Sequence, residues 1–350
     1  MIGINCTKAP RGIINKLLLN PTGVNVKFGV EFVPYLRIDK MVALAKQVER
    51  AKFQQIWVCD HYHNRYVHSV LVKLALETRM VMLGPGVTNP YLVHPAVTAA
   101  AIATLNELSN GRALLGFSAG DPIFLETVGI QQRMPVTAVR ESIHIIRKLL
   151  AGERVNFEGK CFSCRGARLR FKPTNEIPIY LGGRRQQMLE LAGSVADGAL
   201  INASHLEDIR ECIQYIKNGL KKSKRPQKNF DFVAYLAVSV GNDEEKARRA
   251  ARGVVAFISS SAPPESLAHH NISPEEVEVV RNYLRAGEVM KARGAVTDSM
   301  LDEFSVSGGV DKLVSRVEEL KKIGITRVVI GSPIGPEPIE SLKLIATALL

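Results

Sequence analysis

The stretch Val81-Met82-Leu83-Gly84-Pro85-Gly86-Val87-Thr88-Asn89-Pro90-Tyr91 decides how this chain is read. Its first three residues form an apolar strand, and two glycines and two prolines end that strand abruptly. Threonine and asparagine follow, where a surface loop would more often carry charge. The combination suggests a backbone shaped to touch a flat ligand. The same event recurs along the chain: an apolar strand, then small or polar residues, then a helix.

Working outward, the pattern predicts eight strands, within 27–33, 55–59, 80–83, 113–117, 177–181, 198–201, 230–238 and 328–330. Amphipathic helices separate them. One is predicted over 38–51, with Ile38, Met41, Val42, Ala45 and Val48 on one face. Another is predicted over 94–108, stopped by Asn110-Gly111. Parallel neighbours need crossover connections, so strands alternating with helices imply a parallel sheet. Eight such units match a closed (β/α)8 TIM barrel. An open doubly wound sheet would carry a glycine-rich phosphate turn after its first strand, and Val33-Pro34-Tyr35 stands there instead. Residues 26–350 read as one barrel domain with insertions near 152–176 and 259–309. Residues 1–25 show no strong periodicity. Valine can be encoded by the alternative start codon GTG, so the protein is expected to begin at Val26.

The 350 residues are 46% hydrophobic and 23% charged, as in an ordinary globular chain. No apolar run is long enough to span a bilayer, and no secretory leader is evident, so the reading is a cytoplasmic protein without membrane partners. Five cysteines at irregular spacing fit a reducing compartment. The net charge of +12 points to anionic partners. The basic residues are not interleaved with aromatics, which argues against nucleic acid. A basic run at Arg154, Lys160, Arg165, Arg168, Arg170 and Lys172 could guide an acidic ligand tail.

In a barrel, the strand ends converge on one face, and catalytic groups lie there. Those ends carry Glu31, Asp60-His61, Thr88-Asn89, Ser118, Asp121, Gly182-Gly183-Arg184, Asn202 and Gly331-Ser332. Glu31 sits in the almost wholly apolar run Phe28-Gly29-Val30-Glu31-Phe32-Val33-Pro34. A carboxyl among apolar neighbours is costly to ionise, which suits proton transfer near neutral pH. Gly182-Gly183-Arg184-Arg185 opens a helix and offers an anion site of backbone N–H groups and guanidinium. Asp60, His61 and His63 could orient a polar ring, and no metal is expected there. His269-His270 has no acid at useful spacing and is read as exposed.

These residues resemble a known family. Phe28–Pro34, Asp60-His61-Tyr62, Gly84–Pro90, Leu108-Ser109-Asn110-Gly111-Arg112, Asp197–Ser204 and Gly331-Ser332-Pro333-Ile334-Gly335-Pro336 are similar to the coenzyme F420-dependent methylenetetrahydromethanopterin reductases, a branch of the bacterial luciferase-like barrels. The likeness runs from about Val26 to the C-terminus. It implies reversible hydride transfer between reduced F420, a dissociable deazaflavin cosubstrate, and the one-carbon bridge of methylenetetrahydromethanopterin. It implies Glu31 as proton donor to the departing nitrogen, with Asp60 shaping the pocket. It places Thr88 and Asn89 against the deazaflavin and a non-proline cis peptide at Gly86–Val87. Gly182, Gly183 and Arg184 match its phosphate loop, and Ser118 and Asp121 its fourth-strand loop. It also implies a homodimer or homotetramer. The extra arginines at 153–172 could suit the coenzyme's polyglutamate tail. The rival enzyme readings are a flavin-dependent monooxygenase and an F420-dependent alcohol dehydrogenase. The non-enzyme rival is a binding barrel that has lost catalysis.

Overall fold

The computed structural model describes residues 26–350, position 263 excepted; the expectation about residues 1–25 lies outside them. In chain order the strands are β1 (Lys27–Phe32), β2 (Gln55–Val58), β3 (Met82–Pro85), β4 (Leu115–Phe117), β5 (Val155–Glu158), β6 (Ser163–Ala167), β7 (Ile179–Gly183), β8 (Gly198–Ile201), β9 (Asp231–Val240), β10 (Val306–Gly308) and β11 (Arg327–Ile334). Eight of them run parallel in the order β3-β2-β1-β11-β9-β8-β7-β4. Parallel bridges at Leu83–Ala113 and Thr88–Phe117 bring β3 back to β4 and close the ring. The expected TIM barrel is therefore the fold.

Alternation decides which side chains face inward. On β1, Phe28, Val30 and Phe32 pack outward into the core shared with the helices, which leaves Gly29 and Glu31 on the inner face. The lower barrel interior is filled by Trp57, Leu114, Tyr180, Leu200, Val233 and Val329. Trp57 and Tyr180 meet edge to face, with ring centroids 5.2 Å apart. Beneath them lies a polar plug. Arg327 Nε donates to Asp231 at 2.9 Å, and the Tyr180 hydroxyl donates to the same carboxylate at 3.0 Å. The bottom is thus packed, and space remains only at the C-terminal mouth.

The predicted strands are all present, with shifted ends. The third runs through Gly84-Pro85 rather than stopping at Leu83. Gly84 lies so close to Leu114 on the next strand that a Cβ there would overlap the Leu114 backbone. The glycine extends the strand by permitting that approach.

The first insertion is a two-stranded antiparallel hairpin of β5 and β6. Its turn is clasped by Glu141 on the helix Pro135–Leu150, whose carboxylate accepts the N–H groups of Lys160, Cys161 and Phe162 at 2.7–3.0 Å. The second insertion comprises helices Pro264–His269, Pro274–Arg285, Val289–Ala295 and Asp298–Phe304 before β10. Together with the helix Glu244–Ser260 they bury a separate small core around Val255, Val277, Val280 and Leu301. One expectation fails here. His269 is exposed, but His270 is buried and its ring bonds Asp208 at 3.0 Å. The acid lies 62 residues earlier, so no local spacing revealed it.

Candidate active site at the barrel mouth

A cavity of about 920 Å³ opens at the C-terminal ends of the strands, within the range of small-molecule sites. Glu31, Asp60, Gly86, Val87, Asn89, Ser118, Asp121, Gly182, Gly183 and Arg184 all line it. Of the sequence-predicted site residues only Thr88 does not; its side chain is buried and donates to Asp60 Oδ2 at 2.6 Å, fixing the cavity wall from behind. None of the basic residues at 154–172 is among the lining residues, so the hairpin does not form part of this wall.

Glu31 is held from two directions. The Ser332 N–H on β11 donates to Oε2 at 2.7 Å. The Cys59 thiol at the end of β2 donates to Oε1 at 2.9 Å. The Tyr235 phenol on β9 lies close enough to feel the Glu31 charge and donates to the Gly86 carbonyl at 3.3 Å. Burial, reinforced by the Glu31 charge, pushes both the Cys59 thiol and the Tyr235 phenol well above their ordinary pKa, so both stay protonated donors. Cys59 and Tyr235 were missed in the sequence. Tyr235 was legible in principle, as the one hydroxyl-bearing residue in Phe232-Val233-Ala234-Tyr235-Leu236-Ala237.

The wall formed after β3 is backbone. The Gly86–Val87 peptide is cis, as the resemblance implied. A Cβ at Gly86 would stand 2.7 Å from Trp57 Cβ and 3.0 Å from the Tyr235 hydroxyl, so only glycine leaves this surface bare. Asn89 Oδ1 accepts the N–H groups of Tyr91 and Leu92 at 3.0 and 3.1 Å. That turn fixes the carboxamide and leaves its NH2 for a ligand. Ser118 donates to the Gly182 carbonyl at 2.8 Å, tying β4 to β7.

Arg184 donates to Ser261 Oγ at 3.0 Å and its carbonyl at 3.3 Å, and burial lowers the guanidinium pKa. Asp121 caps the short helix Pro122–Glu126 by accepting the Ile123 N–H at 2.9 Å. His61 and His63 stack at 5.5 Å and both rings meet Phe124. Burial, then the neighbouring His63, lowers the His61 pKa and keeps that imidazole neutral. The flat bare wall, the free carboxamide and the enclosed carboxyl fit a planar ring such as a deazaflavin. Among the described residues, no group of three His, Cys, Asp or Glu ligand atoms gathers in this cavity.

Residues 23–327 match the luciferase-like monooxygenase family. The chain is 45% identical over 329 residues to the 5,10-methylenetetrahydromethanopterin reductase of Archaeoglobus fulgidus, covering 93% of this chain and 99% of that one. It superimposes on the coenzyme F420-dependent tetrahydromethanopterin reductase of Methanopyrus kandleri with a TM-score of 0.87, at 36% identity over 93% of this chain and 98% of that chain. An F420-dependent secondary alcohol dehydrogenase shares the fold at 19% identity and a TM-score of 0.80, covering 92% of this chain and 98% of that chain. The chain therefore belongs to the luciferase-like barrels and, within them, to the 5,10-methylenetetrahydromethanopterin reductase family.

Proposed function

We infer that this protein catalyses reversible hydride transfer between reduced coenzyme F420 and 5,10-methylenetetrahydromethanopterin, giving the 5-methyl compound. The observation that carries the reading is that one enclosed carboxyl, Glu31, and the bare Gly86–Val87 backbone line a single cavity, in a chain of this family.

F420, when bound, supplies the hydride. The residues proposed to hold it are Gly86, Val87 and Asn89 along one wall, with Asp60, Ser118, Asp121 and the Gly182-Gly183-Arg184 loop toward the rim; Thr88 acts from behind through Asp60. Glu31 handles the proton. Its Oε2 faces a backbone N–H, which can only donate, so Oε2 stays an acceptor. The transferable proton therefore resides on Oε1, where the Cys59 thiol can turn its hydrogen away. From there it reaches the pterin nitrogen that leaves the one-carbon bridge, and in the reverse direction it returns to the same oxygen. The packed interior below Trp57 and Tyr180 keeps water from approaching Glu31 from the barrel bottom.

Among the described residues no helix is long and apolar enough to cross a membrane. Self-association as a homodimer or homotetramer is part of the proposal, supported by the resemblance and checked by sedimentation. The reaction is tested anaerobically, by following the absorbance of reduced F420 with methylenetetrahydromethanopterin. Oxidation dependent on the pterin is expected. Turnover with reduced flavin and oxygen instead, or with a secondary alcohol and oxidised F420, would overturn the reading.

A further inference from the structure

We propose that His205, Asp208 and His270, backed by Glu303, form a site for one divalent transition-metal ion of zinc-like preference, which clamps the second insertion to the barrel. The four residues come from three separate elements. His205 and Asp208 open the helix that follows β8, His270 follows the first helix of the insertion, and Glu303 lies on its last helix. One ring nitrogen of each histidine and one Asp208 oxygen lie within 4.8 Å of one another.

The contacts of each ring nitrogen show how the cluster is held. Glu303 Oε2 stands 3.1 Å from His270 Nδ1 and 3.5 Å from His205 Nε2. Neither contact is aligned as a hydrogen bond, so Glu303 stands beside both rings as an outer carboxylate with no ring hydrogen committed to it. His205 Nδ1 accepts only a long bond from the Glu207 N–H, at 3.3 Å. His270 Nε2 faces both oxygens of Asp208, at 3.1 and 3.0 Å. A metal ion bound there would take the place of the proton that His270 Nε2 shares with Asp208.

Two further observations point to missing positive charge. The His270 side chain is only 3% exposed. Glu303 Oε2 is buried and aligned with no hydrogen-bond donor, which is costly for a carboxylate oxygen. The remaining neighbours do not supply that charge. Ser266 Oγ approaches Asp208 at 3.3 Å, and the Arg316 guanidinium beside His205 is engaged with the Ser204 carbonyl and Glu319. Two imidazoles and a carboxylate with an outer carboxylate suit zinc and its first-row neighbours better than calcium or magnesium, which take oxygen donors. The site is outside the catalytic cavity, but Asn202, three residues before His205, lines that cavity.

The test is titration of the chelator-stripped full chain with cobalt(II), followed by zinc(II), at neutral pH. The expected result is one equivalent of cobalt with visible d–d absorption that zinc displaces, and a thermal midpoint raised by excess zinc. His270→Gln and the more exposed His205→Gln are compared after circular dichroism has verified their folding. Binding at least about tenfold weaker in either folded variant supports the site, since a lost ligand removes part of the coordination energy. No saturable absorption in the wild type would overturn it and leave His270 as a plain imidazolium between two acids. Unchanged affinity in both variants would overturn it equally, assigning the metal to thiols such as Cys161 and Cys164.

Discussion

Replacing Glu31 by glutamine tests the proton assignment with the least disturbance. The amide keeps the length and volume of the acid. Its oxygen can still accept the Ser332 N–H, now 2.7 Å from Oε2. Its NH2 then occupies the place of Oε1, where it meets the Cys59 thiol. The thiol must turn its hydrogen away and offer its sulfur, a weak acceptor, at a cost of about 1–2 kcal/mol in stability. The flat wall at Gly86–Val87 is untouched, so F420 affinity, read by fluorescence titration, should stay within about twofold of wild type. Turnover should fall by about 10²–10⁴, the usual contribution of a positioned acid or base, which corresponds to about 2.7–5.5 kcal/mol of barrier. The assay is anaerobic oxidation of reduced F420 by methylenetetrahydromethanopterin under saturating conditions. Turnover undiminished in the variant, with coenzyme bound normally, would remove Glu31 from the proton path. Loss of coenzyme binding itself would refute the placement of the ring along the Gly86–Val87 backbone.

Two other outcomes are expected, one at the cavity wall and one at the foot of β3. Gly86→Ala should cost about 1–3 kcal/mol through overpacking, because the new methyl would meet Trp57 Cβ at 2.7 Å; urea denaturation and F420 titration read the two effects, and a variant as stable and as tight as wild type would refute the bare-wall argument. Glu49 on the helix Ile38–Arg50 accepts the N–H groups of Arg79, Met80 and Val81 at 2.5–3.0 Å. Burial pulls its pKa upward, but the three donors together outweigh that and leave it below the ordinary value of 4.5. The folded pKa is depressed, so the stabilisation is present above pH 4.5 and fades as pH falls through the folded value. Glu49→Gln should therefore lose about 1–2 kcal/mol at neutral pH and converge on wild type in acid, as measured by urea midpoints across pH; a difference that persists at pH 2 would refute the linkage.

The barrel and most of its mouth were legible because each strand end is local. An apolar run followed by Asp60, Asn89, Ser118 or Gly182 announces itself within a few residues. Strand limits were less legible, since Gly84-Pro85 looks like a stop and becomes a strand only through its close approach to Leu114 on the neighbouring strand. The hairpin of β5 and β6 was hidden, as its short strands carry glycine and cysteine and owe their place to the clasp of Glu141. The groups around Glu31 were hidden for a different reason. Cys59, Tyr235 and Ser332 come from three strands, and their meeting depends on register in the closed ring rather than on any spacing along the chain. His270 was misread in the same way, because its acids sit on two other elements.

The neighbours β1 and β11 are hydrogen-bonded at the seam of the ring, and the Glu31–Ser332 contact spans 301 positions. A ribosome adding about 5–20 residues per second would take roughly 15–60 s between these two residues. Throughout that interval the nascent chain carries the proposed proton-handling acid without the amide that later orients it. On that assignment β11 must dock against β1 before the acid is set for chemistry, so a local step of catalysis waits on a long-range step of folding.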